Sequence, residues 1–258
     1  MTDYRFDNAW ERGRERLAGI ERIFDSSTIR YLDGLGVGDG WRCLELGAGG
    51  GTIAAWLCDR VGGKGQVVAT DLDTRFLAEV KAPNLEVLTH DVSTDGRPGE
   101  PFDLIQRLLL EWVQDREAVL KRLVTWLAPG GWLLAEDFQW SAKYPIGSPP
   151  PFDETVAMVI QWLASVAYEP DFGSRPPAAF SRHGLVDIGS EARTVMVHGA
   201  LPDATFYRLS IEQLRGPVVA SGMLTDAQVD AALERIEEPT FAVMMPCLVS
   251  TWGRMPGD

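Results

Sequence analysis

Four glycines crowd the stretch CLELGAGGGTIAAWL, at positions 47, 49, 50 and 51, and a carboxylate, Glu45, stands two residues before the first of them. Between an apolar run and a helical pattern, such a turn brings bare backbone close to a ligand and aims the free N–H groups of a helix start at it. Two ligand classes suit it. Dinucleotides use G-x-G-x-x-G with pyrophosphate at the helix start, but Thr52 occupies the position of that third glycine here. A carboxylate beside the turn repels pyrophosphate and attracts a cation. A second carboxylate, Asp71, ends the apolar run VVATDLD, where it can accept both hydroxyls of a ribose. A third, Asp91, follows the run LEVLTH.

The elements that must position these groups follow from periodicity. Short apolar runs predict strands near 42–46, 66–71, 85–89, 102–107 and 131–136, separated by helical patterns, which is the signature of a parallel sheet with crossover helices. Thr52 to Val61 reads as one helix, Asp73 can cap another over 74–80, and Asp115 can cap REAVLKRLVTWL, which stops at Pro129-Gly130-Gly131. Ahead of the sheet, residues 7–33 read as two helices, the second capped at Asp25-Ser26-Ser27.

Alternation fails after Trp140. A Pro-rich connection, SAKYPIGSPPP, leads into a long helix whose Val156, Val159, Ile160 and Leu163 form an apolar face. Beyond it the pattern predicts a strand at 193–199, helices near 203–214 and 226–236, the latter opened by the capping box Thr225-x-x-Gln228, and a last strand near 243–252 with Pro246 near its start or at an edge.

Taken in order, Glu45 to Gly51, the strand ending in Asp71, His90-Asp91-Val92, and FDLIQRLLLEWV followed by the Leu-x-Pro-Gly-Gly turn into the fifth strand resemble the class I S-adenosylmethionine-dependent methyltransferases of small-molecule type. The resemblance is strong over about 40–140 and fainter in the final strand at Trp252-Gly253-Arg254. It implies an α/β, Rossmann-like, doubly wound sheet of seven mostly parallel strands with an antiparallel last strand, N-terminal helices and a helical cap inserted after strand five. A single domain is expected, with 1–40 as lid, 41–140 as cofactor-binding core, 141–192 as cap and 193–258 completing the sheet.

The implied cofactor is S-adenosyl-L-methionine. The resemblance implies that Glu45 reaches its amino group through water, that Gly47, Ala48 and Gly49 of the turn contact it, and that Asp71 meets its ribose, Leu72 its adenine ring, and Asp91 with the Val92 amide the adenine edge. Gln106 and Arg107, ending the fourth strand, complete that set, and Arg16 with Tyr4 and Trp10 would fold over the methionine end. Acceptor contacts are expected from Trp10, Trp112, Glu136, Gln139, Trp140 and Trp162, with Asp137 beside them, and Tyr144, Phe152, Tyr168 and Phe172 add aromatic surface. Many similar enzymes carry a histidine near Trp112. This sequence has Glu111-Trp112 instead, and no catalytic base is assigned.

The predicted activity is methyl transfer to a small, apolar or aromatic metabolite. The alternatives are a non-methylating reaction on the same cofactor and, third, a nicotinamide oxidoreductase. A net charge of -13 disfavours nucleic acid as partner. No apolar run reaches roughly 18 residues and no signal-like leader opens the chain, so no membrane partner and a cytoplasmic monomer or homodimer are expected. Cys43, Cys58 and Cys247 have neither disulfide nor zinc spacing and read as reduced core thiols, and no metal site is predicted. His90, His183 and His198 receive no catalytic role.

Overall fold

The computed structural model describes residues 4–107, 110–142 and 150–257. Its first half comprises α1 (Gly13–Gly34), β1 (Arg42–Leu46), α2 (Thr52–Val61), β2 (Gln66–Asp71), β3 (Leu85–Thr89), β4 (Phe102–Arg107), α3 (Arg116–Trp126) and β5 (Leu127–Gln139). The second half adds α4 (Phe152–Ser165), α5 (Pro176–Arg182), β6 (Val186–Arg193), β7 (Met196–His198), α6 (Thr205–Ala220), α7 (Asp226–Ile236), β8 (Ala242–Met244) and β9 (Cys247–Arg254).

Seven strands form one sheet in the order β3-β2-β1-β4-β5-β9-β6, in which β9 runs antiparallel to both neighbours. This is the doubly wound, mostly parallel arrangement expected from the sequence. The chain reverses direction across the sheet between β1 and β4, and ligand crevices open at the carboxyl ends of such a pair. β1 is central and covered on both faces: Leu44 and Leu46 join one core, Cys43 the other. An element so buried must be apolar, so a carboxylate within it, Glu45, stands out.

Several local expectations are corrected. The two helices expected over 7–33 are one, α1, which passes through Asp25-Ser26-Ser27 without a break. Side chains that would otherwise cap a helix start find tertiary partners here: Thr52 Oγ1 donates to Asp25 Oδ2 at 2.6 Å, and Thr28 Oγ1 donates to Glu136 Oε2 at 2.7 Å. Over 74–80 the chain makes only a 3-10 turn at Leu77–Glu79, and the Asp73 carboxylate is engaged by Arg75. Pro83 limits extension of that turn, and Leu77 and Val80 press against Gly51 instead.

The stretches read as single strands at 193–199 and 243–252 are each divided between two sheets. The chain leaves β6 after Arg193 and enters the two-stranded β7-β8 sheet at Met196; it returns past Met245-Pro246 into β9. At the crossing Met245 N donates to Val195 O, and Pro246, with no N–H to offer, falls between strands. β6 itself begins at Val186, in a polar segment whose alternation is too weak to read.

α4, α6 and α7 pack on one another, and α6 also lies along α1, so the helices grouped with α4 come from beyond the expected cap 141–192, while β6, which starts within it, belongs to the sheet. The capping box that opens α7 is present in both directions, with Thr225 N donating to Gln228 Oε1 at 2.9 Å. Replacing Thr225 with alanine is expected to lower the unfolding free energy by about 1 kcal/mol in urea titration. A midpoint equal to that of the unmodified chain would show that tertiary packing alone sets the start of α7.

Candidate cofactor and acceptor site

The loop after β1 is built by glycines in the left-handed region: Gly47, Gly49 and Gly51 have φ of 73°, 54° and 82°. Side chains disfavour these values, which is why the sequence is bare there. Space is a second reason at Gly50, where a Cβ would collide with the Glu21 carboxylate of α1. Gly47 N and Ala48 N donate to Thr70 O, and Gly49 N donates to Asp71 Oδ2 at 2.9 Å, so the ends of β1 and β2 are tied together. Asp71 Oδ1 also accepts from Asp73 N at 3.1 Å. Burial pushes the Asp71 carboxyl up from its ordinary range, against these amide hydrogen bonds.

A cavity of about 250 Å3 runs from this crevice, along α1, to the underside of α4 and α6. At the crevice end it is lined by Arg16, Glu45, Gly47, Ala48, Gly49, Asp71, Leu72, Asp91, Val92 and Gln106, which were expected to meet a cofactor. Glu45 is 5% exposed, and its Oε2 has no hydrogen-bond partner among the described residues. Burial and the neighbouring carboxylates Asp25 and Asp71 push its carboxyl well up. Leu72 is an exposed apolar side chain at the rim. Asp91 Oδ1 accepts from Ser93 N and Oγ, and its own N–H donates to Asp95, which fixes the turn after β3. Arg16 is buried over the Phe6 ring at 4.2 Å and donates to Tyr4 Oη at 2.9 Å.

At the other end Trp112, Phe138, Trp140, Val159, Tyr168 and Phe206 line an apolar chamber. Trp112 stacks obliquely on Tyr168 with centroids 4.5 Å apart, and Trp140 Nε1 donates to Tyr168 Oη at 2.9 Å. Tyr4 and Phe6 meet Trp112 edge-on, so the segment before α1 closes one side. Among the acceptor candidates, Trp112, Trp140 and Glu136 therefore reach the cavity. Glu136 is fully buried and satisfied by Thr28, Ser250 and Gln106, which makes it a clamp between α1, β4, β5 and β9.

The other candidates lie elsewhere. Arg107 and Asp137 form a fully buried ion pair outside the cavity lining, at 2.7 Å. Gln139 ties Ser141, Asp171 and the Ser174 amide together. The reason is strand alternation: Gln106, Glu136 and Phe138 point to the cavity face, so Arg107, Asp137 and Gln139 point to the opposite one. Trp162 is packed in the core of the cap, and Trp10 belongs to the turn before α1, away from the cavity lining. Tyr144 lies outside the described residues. Cys43 and Cys58 are buried thiols, as expected, but Cys247 is only half-buried.

Three groups escaped the sequence reading. Glu21, Asp25 and Thr28 of α1 line the crevice, and Tyr207, Ile211 and Leu214 of α6 line the chamber. A helical-wheel signal existed for both helices, but nothing in it says that the covered face is a cavity wall. Glu111 also lines the chamber, with Oε2 unpartnered among the described residues; burial and Asp137 push its carboxyl well up.

Residues 43–131, which carry this crevice, match the family model described as methyltransferase domain. By that match, this part of the chain is similar to a methyltransferase domain. The chain is 29% identical over 136 residues to methyltransferase str2 of Strobilurus tenacellus, covering 51% of this chain and 48% of that protein. It is 31% identical over 129 residues to the ubiquinone/menaquinone biosynthesis C-methyltransferase UbiE of Francisella tularensis subsp. novicida, covering 46% and 50%. Each match thus spans about half the length of these relatives. The same fold occurs in Haemonchus contortus phosphoethanolamine N-methyltransferase 2 in complex with S-adenosyl-L-methionine, with a TM-score of 0.60, 16% identity and coverage of 98% of this chain and 60% of that one. It occurs again in a SAM-dependent methyltransferase from Aquifex aeolicus, with a TM-score of 0.51, 16% identity and coverage of 91% and 92%. Among the described residues no cluster suits a metal ion and no helix is long and apolar enough to cross a membrane.

Proposed function

We propose that this chain transfers the methyl group of S-adenosylmethionine to a small, uncharged, apolar or aromatic acceptor. The observation that carries the reading is the continuity of one cavity from a carboxylate-rich crevice to an apolar chamber. Glu21, Asp25, Glu45, Asp71 and Glu136 border the crevice end, whereas Arg16 is the one arginine or lysine among the described lining residues. That balance suits a cofactor bearing an ammonium and a sulfonium, and opposes pyrophosphate. The orphaned Glu45 Oε2 and the bare loop at Gly49-Gly50 fit it further.

When bound, the cofactor would supply a methyl group on a good leaving sulfur. The protein's part is placement. Asp71 would hold the ribose, Glu45 and the glycine loop the amino-acid arm, and Asp91 and Val92 the adenine edge. Trp112, Trp140 and Tyr168 give the acceptor flat apolar walls that exclude water. Holding two reactants in line is worth up to about 7–11 kcal/mol in favourable systems, so no side-chain nucleophile is needed.

Calorimetric titration with S-adenosylmethionine and with NADH, followed by incubation of the first with neutral phenols and quinols, tests the reading. Binding of S-adenosylmethionine and an acceptor mass increase of one methyl group are expected. Binding of NADH alone would overturn it, and a product without added mass would favour rearrangement over methylation.

A further inference from the structure

Asp25 stands in the fourth turn of α1, where the sequence suggested a helix cap, and it lines the cavity together with the glycine loop. Thr52 Oγ1 holds its Oδ2 at 2.6 Å, and among the described residues no donor meets Oδ1. In the same cavity lining, Glu45 Oε2 is buried with no hydrogen-bond partner among the described residues, on a side chain that is almost entirely buried. Glu21 and Glu136 also face Asp25, each pushing its carboxyl up, and Thr52 and Arg14 oppose them. Arg14 is already engaged by Glu21 at 3.0 Å, and Arg16 by Tyr4 and Phe6. The corner therefore holds one buried and one half-buried carboxyl group with free lone pairs and no protein cation of their own. A buried carboxylate oxygen without a donor, as at Glu45, is costly, and a ligand bearing several N–H donors and a positive charge can meet it and the free Asp25 oxygen at once.

Resting on the S-adenosylmethionine reading above, we infer that Asp25 is a binding residue for the ammonium of the cofactor's amino-acid arm, gripping it from α1 while Glu45 meets it from β1. The geometry makes α1 a part of the cofactor site, because the residue that contacts the ammonium is fixed by Thr52, the first residue of α2. It also makes affinity depend on pH. Burial pushes the free Asp25 carboxyl up to about 6. An ammonium favours its ionised form, so affinity rises with pH through that value and falls below it.

The test compares S-adenosylhomocysteine, which carries the amino-acid arm, with 5′-methylthioadenosine, which lacks it, by calorimetry on the unmodified chain and on Asp25→Asn. At about pH 7 the variant is expected to bind S-adenosylhomocysteine on the order of tenfold more weakly. It is expected to bind 5′-methylthioadenosine within twofold of the unmodified chain, which also shows that the variant is folded. Between about pH 7 and pH 5 the unmodified chain should lose on the order of tenfold for S-adenosylhomocysteine, and the variant less, since Glu45 alone then titrates against the ammonium. Equal affinity of both proteins for S-adenosylhomocysteine, or an equal loss for both ligands, would overturn the inference. Failure of the unmodified chain to bind either adenosyl ligand would instead overturn the cofactor reading on which it rests.

Discussion

Replacing Asp71 with alanine is expected to weaken S-adenosylmethionine binding by about 1.5–3 kcal/mol, or roughly ten- to 150-fold in Kd. The expectation combines two effects at one carboxylate. Asp71 ends β2 at the crevice, where its two oxygens accept from Gly49 N and Asp73 N and still have lone pairs for two ribose hydroxyls. Alanine removes the acceptors that face the sugar, and it also frees the Gly49 amide that keeps the loop in place. Asparagine retains one acceptor oxygen and should recover part of the affinity. Titration calorimetry on the three proteins checks this, and an alanine variant within threefold of the unmodified chain would put the ribose somewhere else.

The crevice was legible because three constraints coincide on few residues. A central strand must be apolar, the loop must be glycine, and the adjoining strand ends in an acid where acids are rare. Glu45, Gly49 and Asp71 meet those constraints within a short span and needed no knowledge of the rest of the chain. The chamber was less legible because it is assembled from distant pieces. Phe138 comes from β5, Val159 from α4, Tyr168 from the loop after it and Phe206 from α6, and each looks like ordinary core in its own segment.

Alternation was the signal left unused. Once Gln106 faces the crevice, Arg107 must face away, and Glu136 and Asp137 divide in the same manner. The helix start expected at Asp25-Ser26-Ser27 failed for the opposite reason. A local rule offered those side chains to the backbone, but Thr52 and Glu136, far along the sequence, engage the neighbouring Asp25 and Thr28 first. Residues that violate a local preference in this chain are thus also the ones that join α1 to the cofactor site.

Loss of the Asp137 carboxylate is expected to produce the largest change in stability, about 3–5 kcal/mol for Asp137→Ala. Arg107 and Asp137 are both 0% exposed, and Arg107 Nη2 donates to Asp137 Oδ1 at 2.7 Å. Alanine would leave a guanidinium with no counter-ion in the interior, where burial already pulls its pKa down and Asp137 is the first group to oppose that pull. Glu111 does not take over as counter-ion, since burial and Asp137 push its carboxyl up toward the neutral form. Glu111→Gln, which resembles that neutral acid, should therefore cost about 1 kcal/mol or less. Urea midpoints of the two variants separate these cases, and equal losses would mean that Glu111 carries the charge. Asp137 Oδ1 also accepts from Glu111 N at 3.3 Å and so helps hold the turn that carries Trp112. Among the described residues no side-chain hydrogen bond joins Asp137 to β1 or β2. Folded Asp137→Ala should accordingly keep S-adenosylmethionine affinity within about threefold, a shift below roughly 0.7 kcal/mol, while acceptor turnover falls because the chamber wall at Trp112 has lost its tether.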